Sequence, residues 1–525
     1  MSLSFNLIER PFIPCVRRDG QSVEYGLRDA LLMAQEIVEL RDGSPLVTVA
    51  LHRLLLAILH RCYGGPKNSS ERIAIRKAGH FDVDRIKKYL DKWFDRFDLL
   101  HEKYPFYQRA GFTTKEPSSI NRLSQERSRG NNAALFDHTT DDPPLSYSPA
   151  EAARALITEQ VFAIGGGKSE TGNTTHAPLV SGATVLIRGD TLFETLWLNL
   201  TLYDGEQKPI PCDGEDAPIW EQSSSEPHKD SVTPRGYLDY LTWQSRTLRL
   251  HPVVEHEQVV VRQVSYAQGR KLETAAGFFE PMMAYTRRDD KEPFVQVRFN
   301  AFRDIWRDSV PLFQVNEKHQ KYDRAPTCLD SLSAFELKEI LPRSARYRLS
   351  AFGLCTDKAK VNFWRHETLP LPLSYLDRPE SVESLKRALS LAESLASEVL
   401  RPAAWATAAN WLTVNPEMKP DTERVRSIVD SFAPERLYWS RLERPFRELL
   451  IDLAKDGADL IACVNRWYWD TLHPAVKNAF DQSVGRLDGA RDLKAVNAGH
   501  GLLFSRLKKV RKDYKIPDQE REGAA

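Results

Sequence analysis

The run Gly165-Gly-Gly-Lys-Ser169 has the residue types of a phosphate-binding loop. A P-loop also needs a glycine five positions ahead of its Gly-Lys-Ser triplet, so that backbone N–H groups close around the phosphates. Phe162 stands at that position, and no buried strand is read upstream. Nucleotide binding is therefore not expected. What remains is the physical property of consecutive glycines: bare backbone can approach a ligand surface where any Cβ would clash. A plain flexible turn is the alternative.

Other candidate chemistry is thinner. His251, Glu255 and His256 have polar groups at close spacing, but a metal site needs a third clear ligand, and the Val259 run that follows reads as a strand. No His-Glu-x-x-His or Gly-x-Ser-x-Gly motif occurs. Asp141-Asp142 precedes two prolines, and Glu215-Asp216 sits in a polar stretch, so both read as solvated loops. The cysteines at 15, 62, 212, 328, 355 and 463 have no Cys-x-x-Cys spacing, which removes a zinc knuckle and a redox pair. No metal, cofactor or catalytic residue is expected. Arg506-Leu-Lys-Lys-Val-Arg-Lys-Asp513 is a basic helix end. The helix dipole favours cations there anyway, and contact with displaced DNA or a neighbouring subunit is the functional alternative.

These residues need elements to hold them. Phe5–Pro14 reads as a strand closed by prolines, and Val16–Tyr25 as a hairpin around Gly20. Helices are expected over Leu27–Leu40, Pro45–Tyr63 and Val83–Leu100, the last with apolar residues spaced by three and four. Residues 111–150 turn polar and irregular. Ser148 then caps a helix with Pro149 at its first position. Ala183–Arg188 reads as a strand, Thr191–Tyr203 as a helix, and 204–235 as a second polar loop. Strands follow at Leu248–Leu250, Val259–Val264, Phe294–Phe299 and Arg346–Phe352. From Ser381 onward the pattern is helical. The expected class is α+β: a large mixed α/β domain over 1–377, then a helical bundle over 378–525.

Composition bounds the function. With 42% hydrophobic and 28% charged residues the chain reads as an ordinary globular protein. Its net charge is +1, from 73 basic and 72 acidic residues. An autonomous DNA binder carries a basic excess, so this balance fits a subunit that meets DNA through a small patch. Charge comes too early for a signal peptide, and the apolar stretch Leu46–Leu59 reads as too short for a bilayer. A cytoplasmic protein with no membrane contact is expected.

The order of segments resembles the CasA family, the large subunit of type I-E CRISPR Cascade. The resemblance rests on Phe5–Pro14, Leu27–Leu31, Ser44–Leu55, Tyr104-Pro-Phe-Tyr-Gln108, Trp243-Gln-Ser-Arg246 and Arg303-Asp-Ile-Trp306. It covers nearly the whole chain and implies a mixed domain followed by a four-helix bundle. It also implies a non-catalytic subunit. Such a subunit reads the protospacer-adjacent motif (PAM) from the minor groove, helps open the double-stranded target, and presents the complex to a helicase–nuclease. Further sequence is read by guide pairing. The implied partners are the other Cascade subunits and the 5′ handle of the CRISPR RNA.

Carried over by residue, the resemblance places a glycine loop at Gly165, Gly166, Gly167 and Lys168. A groove only about 6 Å wide admits bare backbone. The family's lysine finger falls at Arg270 or Lys271, and its wedge at Asp357, Lys358 and Lys360. The family's amide pair is replaced here by Asp357 and Lys358. An acid beside DNA is unfavourable unless Lys358 or Lys360 pairs with it or it accepts from an exocyclic amine of a base. Asn131, Asn132 and Phe136 resemble the segment that docks on the RNA-bearing end. Two alternatives stay open: a metal-dependent nuclease with acids dispersed in 111–150 and 204–235, and a purely structural scaffold.

Overall fold

The computed structural model describes residues 3–124, 145–203, 215–222, 231–273, 278–315, 321–332, 340–341, 347–357, 360–413, 420–487 and 489–519. The chain divides into two units, Met1–Leu371 and Pro372–Ala525. The division falls ahead of the break expected after residue 377. The turn Leu373–Leu376 belongs with the helices: the Ser374 and Tyr375 hydroxyls donate to the Ala454 and Leu450 carbonyls at 2.8 and 3.0 Å.

In the first unit, helix Pro45–Tyr63 forms as its sequence dictates. The Ser44 side chain accepts from the Val47 N–H, Pro45 stands in the first turn, and Gly64 ends the helix at φ 70. The helix is long and apolar enough to cross a membrane, longer than the stretch read from sequence, but 78% of that window is buried inside the protein. Arg53 lies in its middle, 1% exposed, and donates to Glu280 and to the Tyr240 and Leu241 carbonyls. A buried charge with a carboxylate and carbonyl partners marks this as a core helix.

Two expected helices are shorter. Leu27–Leu32 is helical, but Ile37–Leu40 pairs as a strand with Ile13–Arg17, whose other edge takes Ser22–Tyr25. Sheet pairing outweighs helical periodicity there. The helix beginning at Val83 ends at Lys92 and gives way to a tight turn at Phe94–Phe97. Asp98 then accepts from the N–H groups of Phe5 and Leu100, which requires extended chain. Likewise Leu192–Leu198 stops where Asn199 bonds the Ile187 backbone through both amide atoms.

Two long hairpins organise the rest of this unit. Arg246–Glu255 pairs with Gln258–Gln268 through a two-residue turn, with His256 and Glu257 at φ 47 and 65. Arg348–Asp357 pairs with Lys360–Pro370, and its other edge takes Thr184–Arg188. Regular pairing in the expected strand Phe294–Phe299 is confined to Val295–Gln296. Val297 nevertheless accepts from Ala183 and donates to Ala284, at 2.8 and 2.9 Å.

The second unit is helical. Pro379–Ser394 continues through a π turn, Leu395–Leu400, into Arg401–Leu412. Leu460–Arg466 continues through Trp467–Leu472 into His473–Val484 in the same way. Each π turn ends two residues before a proline, Pro402 or Pro474. Proline lacks an N–H and crowds the carbonyl one turn back, and a widened turn relieves both. Ala490–Asp513 packs along Arg401–Leu412, and Gly499 allows the approach beside Thr407 and Ala403. Shorter helices at Thr422–Phe432, Pro434–Trp439 and Glu443–Asp452 make up the fourth run.

Candidate nucleic-acid interface

The glycine loop begins where helix Pro149–Phe162 ends. Ser148 and Glu151 form a reciprocal capping box that fixes the start of this helix. Past Ala163 the chain makes a small hairpin, with Lys168–Ser169 antiparallel to Gly172–Asn173. Gly166 donates to the Thr174 carbonyl at 2.9 Å, and Thr174 donates back to Gly167 at 2.8 Å. Gly165 donates to His176 Nδ1 at 3.1 Å. Burial first, then the charges of Arg246 and Arg298, hold the His176 imidazole below its ordinary range, so Nδ1 stays an acceptor.

The three glycines are not equivalent. Gly165 is buried, and a Cβ there would lie 2.5 Å from the Thr175 carbonyl carbon and 2.7 Å from the His176 nitrogen. Its requirement for glycine is internal. Gly166 is exposed at φ 111, a conformation that side chains disfavour. Gly167 is exposed, and its nearest neighbour to a new Cβ is Thr174 Oγ1 at 3.6 Å. Lys168 is exposed beside it. Only Gly166 and Gly167 present bare backbone outward.

Arg246 holds this hairpin from below. It is fully buried and donates to the Ile164 carbonyl on one leg and the Thr175 carbonyl on the other, at 3.0 and 2.8 Å. Its Nε donates to the Tyr266 hydroxyl at 2.6 Å, which donates to buried Glu159 at 2.7 Å. Gln268 completes the base: its Oε1 accepts from Thr175 N–H, its N–H donates to Ser169 Oγ, and its carbonyl accepts from Thr171 Oγ1. The hairpin is thus attached to the end of strand Gln258–Gln268, immediately before Gly269-Arg270-Lys271. Two segments far apart in sequence meet here. Nothing in residue type marked Arg246, Gln268 or His176 in advance, beyond the place of Arg246 in the segment Trp243–Arg246.

Arg270 is not the free cation expected. Its guanidinium grips Asp239 at 2.7 and 2.9 Å and lies 3.8 Å from the Trp243 ring centroid, with the residue 8% exposed. A guanidinium neutralised by a bidentate carboxylate, stacked on a ring and buried is not available to DNA as a free cation. Lys271 is half-buried in the short strand Lys271–Leu272, which pairs with Ser231–Val232. Burial pushes the Asp239 carboxyl up, and the hydrogen bonds and charge of Arg270 pull it to a net value below its usual range. The pair therefore stabilises the fold above the ordinary carboxylate range, and the contribution is lost as pH falls. Arg270→Gln is expected to cost about 3–5 kcal/mol. The loss should be largest near neutral pH and shrink as pH falls, because burial without Arg270 raises the Asp239 carboxyl and its protonation relieves the unpaired charge, while the salt dependence of DNA binding stays as in the parent. Melting curves from about pH 4 to about pH 8 check this.

Asp357 and Lys360 face each other in register at the end of the long hairpin, and nothing of their side chains is described. Lys358 lies outside the described residues, as do Asn131, Asn132 and Phe136. His251 Nε2 lies 2.8 Å from Ser265 Oγ, Glu255 pairs with Arg262 at 2.7 Å, and His256 occupies the turn. Among the described residues no group of three or more His, Cys, Asp or Glu is placed to hold a metal ion.

A family model described as CRISPR-associated protein Cse1 matches residues 6–482. A CRISPR-associated CasA/Cse1 protein of Thermus thermophilus is 33% identical over 509 residues, covering 94% of this chain and 95% of the relative. The crystal structure of Thermus thermophilus CasA matches with a TM-score of 0.81 at 30% identity, covering 97% of this chain and all of that one (100%). A chain from a structure described as a CRISPR RNA-guided surveillance complex shares the fold, with a TM-score of 0.76, 22% identity, and coverage of 95% and 99%. By the extent of these matches, the chain belongs to the CRISPR-associated Cse1 (CasA) family.

Proposed function

We propose that this chain is the large, non-catalytic subunit of a cytoplasmic CRISPR RNA-guided surveillance complex, where it reads the PAM in the minor groove and helps open the target duplex. The observation that carries this reading is the exposed backbone of Gly166 and Gly167, on a hairpin anchored beneath by Arg246 and Gln268. A preorganised strip of backbone suits a narrow groove, because no side chain has to be ordered or removed on binding. Lys168 and Lys271 are the nearby cations of this reading, drawn by minor-groove potential. Asp357, Lys358 and Lys360 are its wedge. Asn131, Asn132 and Phe136 dock the chain near the guide RNA's 5′ handle, among the other subunits. The assembled surface then receives the helicase–nuclease.

The test is DNA binding by the guide-loaded complex, assembled with and without this chain, on targets that differ only at the PAM. Tight binding to one set of motifs, conferred by this chain, is the expected result. Equal motif dependence without the chain would assign the reading to another subunit. Metal-dependent cleavage by the purified chain would overturn its non-catalytic place.

A further inference from the structure

Phe302 is 91% exposed, the largest exposure among the large hydrophobic residues described. An isolated surface phenylalanine on a mobile loop would carry no meaning. This one stands on a turn fastened from several sides. Asn300 Oδ1 accepts from the Phe302 N–H at 2.9 Å. Arg303 grips Asp308 through two hydrogen bonds, at 2.7 and 2.8 Å. Asp304 pairs with Arg365 at 3.1 Å, and the Ile305 N–H donates to Glu367 at 2.9 Å. Arg365 and Glu367 lie on Lys360–Pro370, the strand paired with Arg348–Asp357.

The same segment reaches the glycine hairpin at its other end. Val297 accepts from Ala183, on the chain that follows that hairpin. Phe299 packs where a Cβ on Gly353 would come within 3.1 Å. Arg298, between them, is exposed and close enough to His176 to weigh on its protonation. Among the described residues Arg298 makes no hydrogen bond or ion pair, whereas Arg303 and Arg365 are both neutralised. A fixed aromatic and an unspent cation are thus held four residues apart, between the two elements that the proposed function assigns to DNA.

We infer that Arg298 and Phe302 form an additional DNA-contacting element, in which Phe302 stacks on an unpaired base of the displaced strand beside the PAM and Arg298 takes a neighbouring phosphate. When a duplex opens, the target-strand bases re-pair with the guide and the displaced bases lose their partners. An aromatic face recovers stacking for such a base whatever its identity. The ordered turn has already met the entropic cost of presenting the ring. This inference rests on the proposed PAM-reading function, and its test separates the two.

The guide-loaded complex would be assembled with the parent chain, Phe302→Ala, Arg298→Ala or Gly167→Leu. Binding is measured on an intact target and on one whose displaced strand carries abasic sites next to the PAM. Phe302→Ala should weaken binding to the intact target on the order of tenfold, the size of one base–aromatic stack. On the abasic target it should bind like the parent, because the base it would stack on is already gone. Arg298→Ala should weaken both and lower the slope of log affinity against log salt by about one. An equal loss on both targets for Phe302→Ala, or no loss on either, overturns the inference. If Gly167→Leu meanwhile loses PAM dependence, the proposed function still stands. If Gly167→Leu binds as the parent does, that function fails and this inference with it. Failure of Phe302→Ala to enter the complex, with an unchanged melting temperature, assigns the ring to a subunit contact and also overturns it.

Discussion

Gly167→Leu should cut motif-dependent DNA binding by the assembled complex while leaving the melting temperature of the chain unchanged. The new Cβ meets only Thr174 Oγ1 at 3.6 Å, ordinary contact, and the position is exposed. In a groove about 6 Å wide the leucine side chain has no such room. Losing one good base-edge readout costs about 1–3 kcal/mol, or roughly 5- to 160-fold in affinity. Gly165→Ala behaves differently although its residue type is the same. Its Cβ is driven to 2.5 Å from the backbone of Thr175, which cannot rotate away. Overpacking of this kind costs about 1–3 kcal/mol of stability. Its effect on DNA then follows from a damaged hairpin. The pair of variants separates recognition from folding. Parent-like binding by a folded Gly167→Leu chain would remove the glycine loop from recognition.

The second large effect is expected at Arg246. Arg246→Met removes donors to the Ile164 and Thr175 carbonyls, the Ser245 carbonyl, Gln268 Oε1 and the Tyr266 hydroxyl. It also takes away the buried cation that reaches Glu159 through Tyr266. Breaking a buried, hydrogen-bonded charge cluster on one side costs about 3–5 kcal/mol. Arg246→Lys should fail nearly as badly, because an ammonium cannot span two carbonyls and a phenol from one planar group. Urea unfolding gives the stability loss. Motif-dependent binding, measured where the variant is still folded, should be lost because both legs of the hairpin are released. A lysine variant as stable as the parent would show that the fork geometry is unimportant.

Much of the fold was legible because it depends on local physics. Helix Pro45–Tyr63 has a first-turn proline and a stopping glycine, and it forms with those bounds. The Ser148 cap and the helical pattern from Ser381 onward are local in the same sense. The mistaken readings share one cause. Ile37–Leu40 has apolar residues that suit a helix face, yet it became a strand because Ile13–Arg17 offered an unpaired edge. The helix from Val83 stopped early because Asp98 takes extended chain to accept from the Phe5 N–H, 93 residues away in sequence. Sequence periodicity carries no term for a partner that arrives from elsewhere in the chain.

The mixed first unit, the helical second unit, the run of three glycines and a segment order that resembles one family are all legible in the residues alone. Each follows from residue type, neighbour spacing or the order of motifs. What those residues are free to do depends on how the chain packs. Packing turned Gly165 inward against its own hairpin and left Gly166 and Gly167 outside. It spent Arg270 on Asp239 and Trp243, and left Arg298 without a partner among the described residues. It made Arg246, one arginine among many, the pin for both legs of the glycine hairpin. The reason is that availability for binding is what folding leaves over. A cation or a bare backbone can meet DNA only if no closer partner within the protein has already satisfied it, and those partners are set by long-range packing.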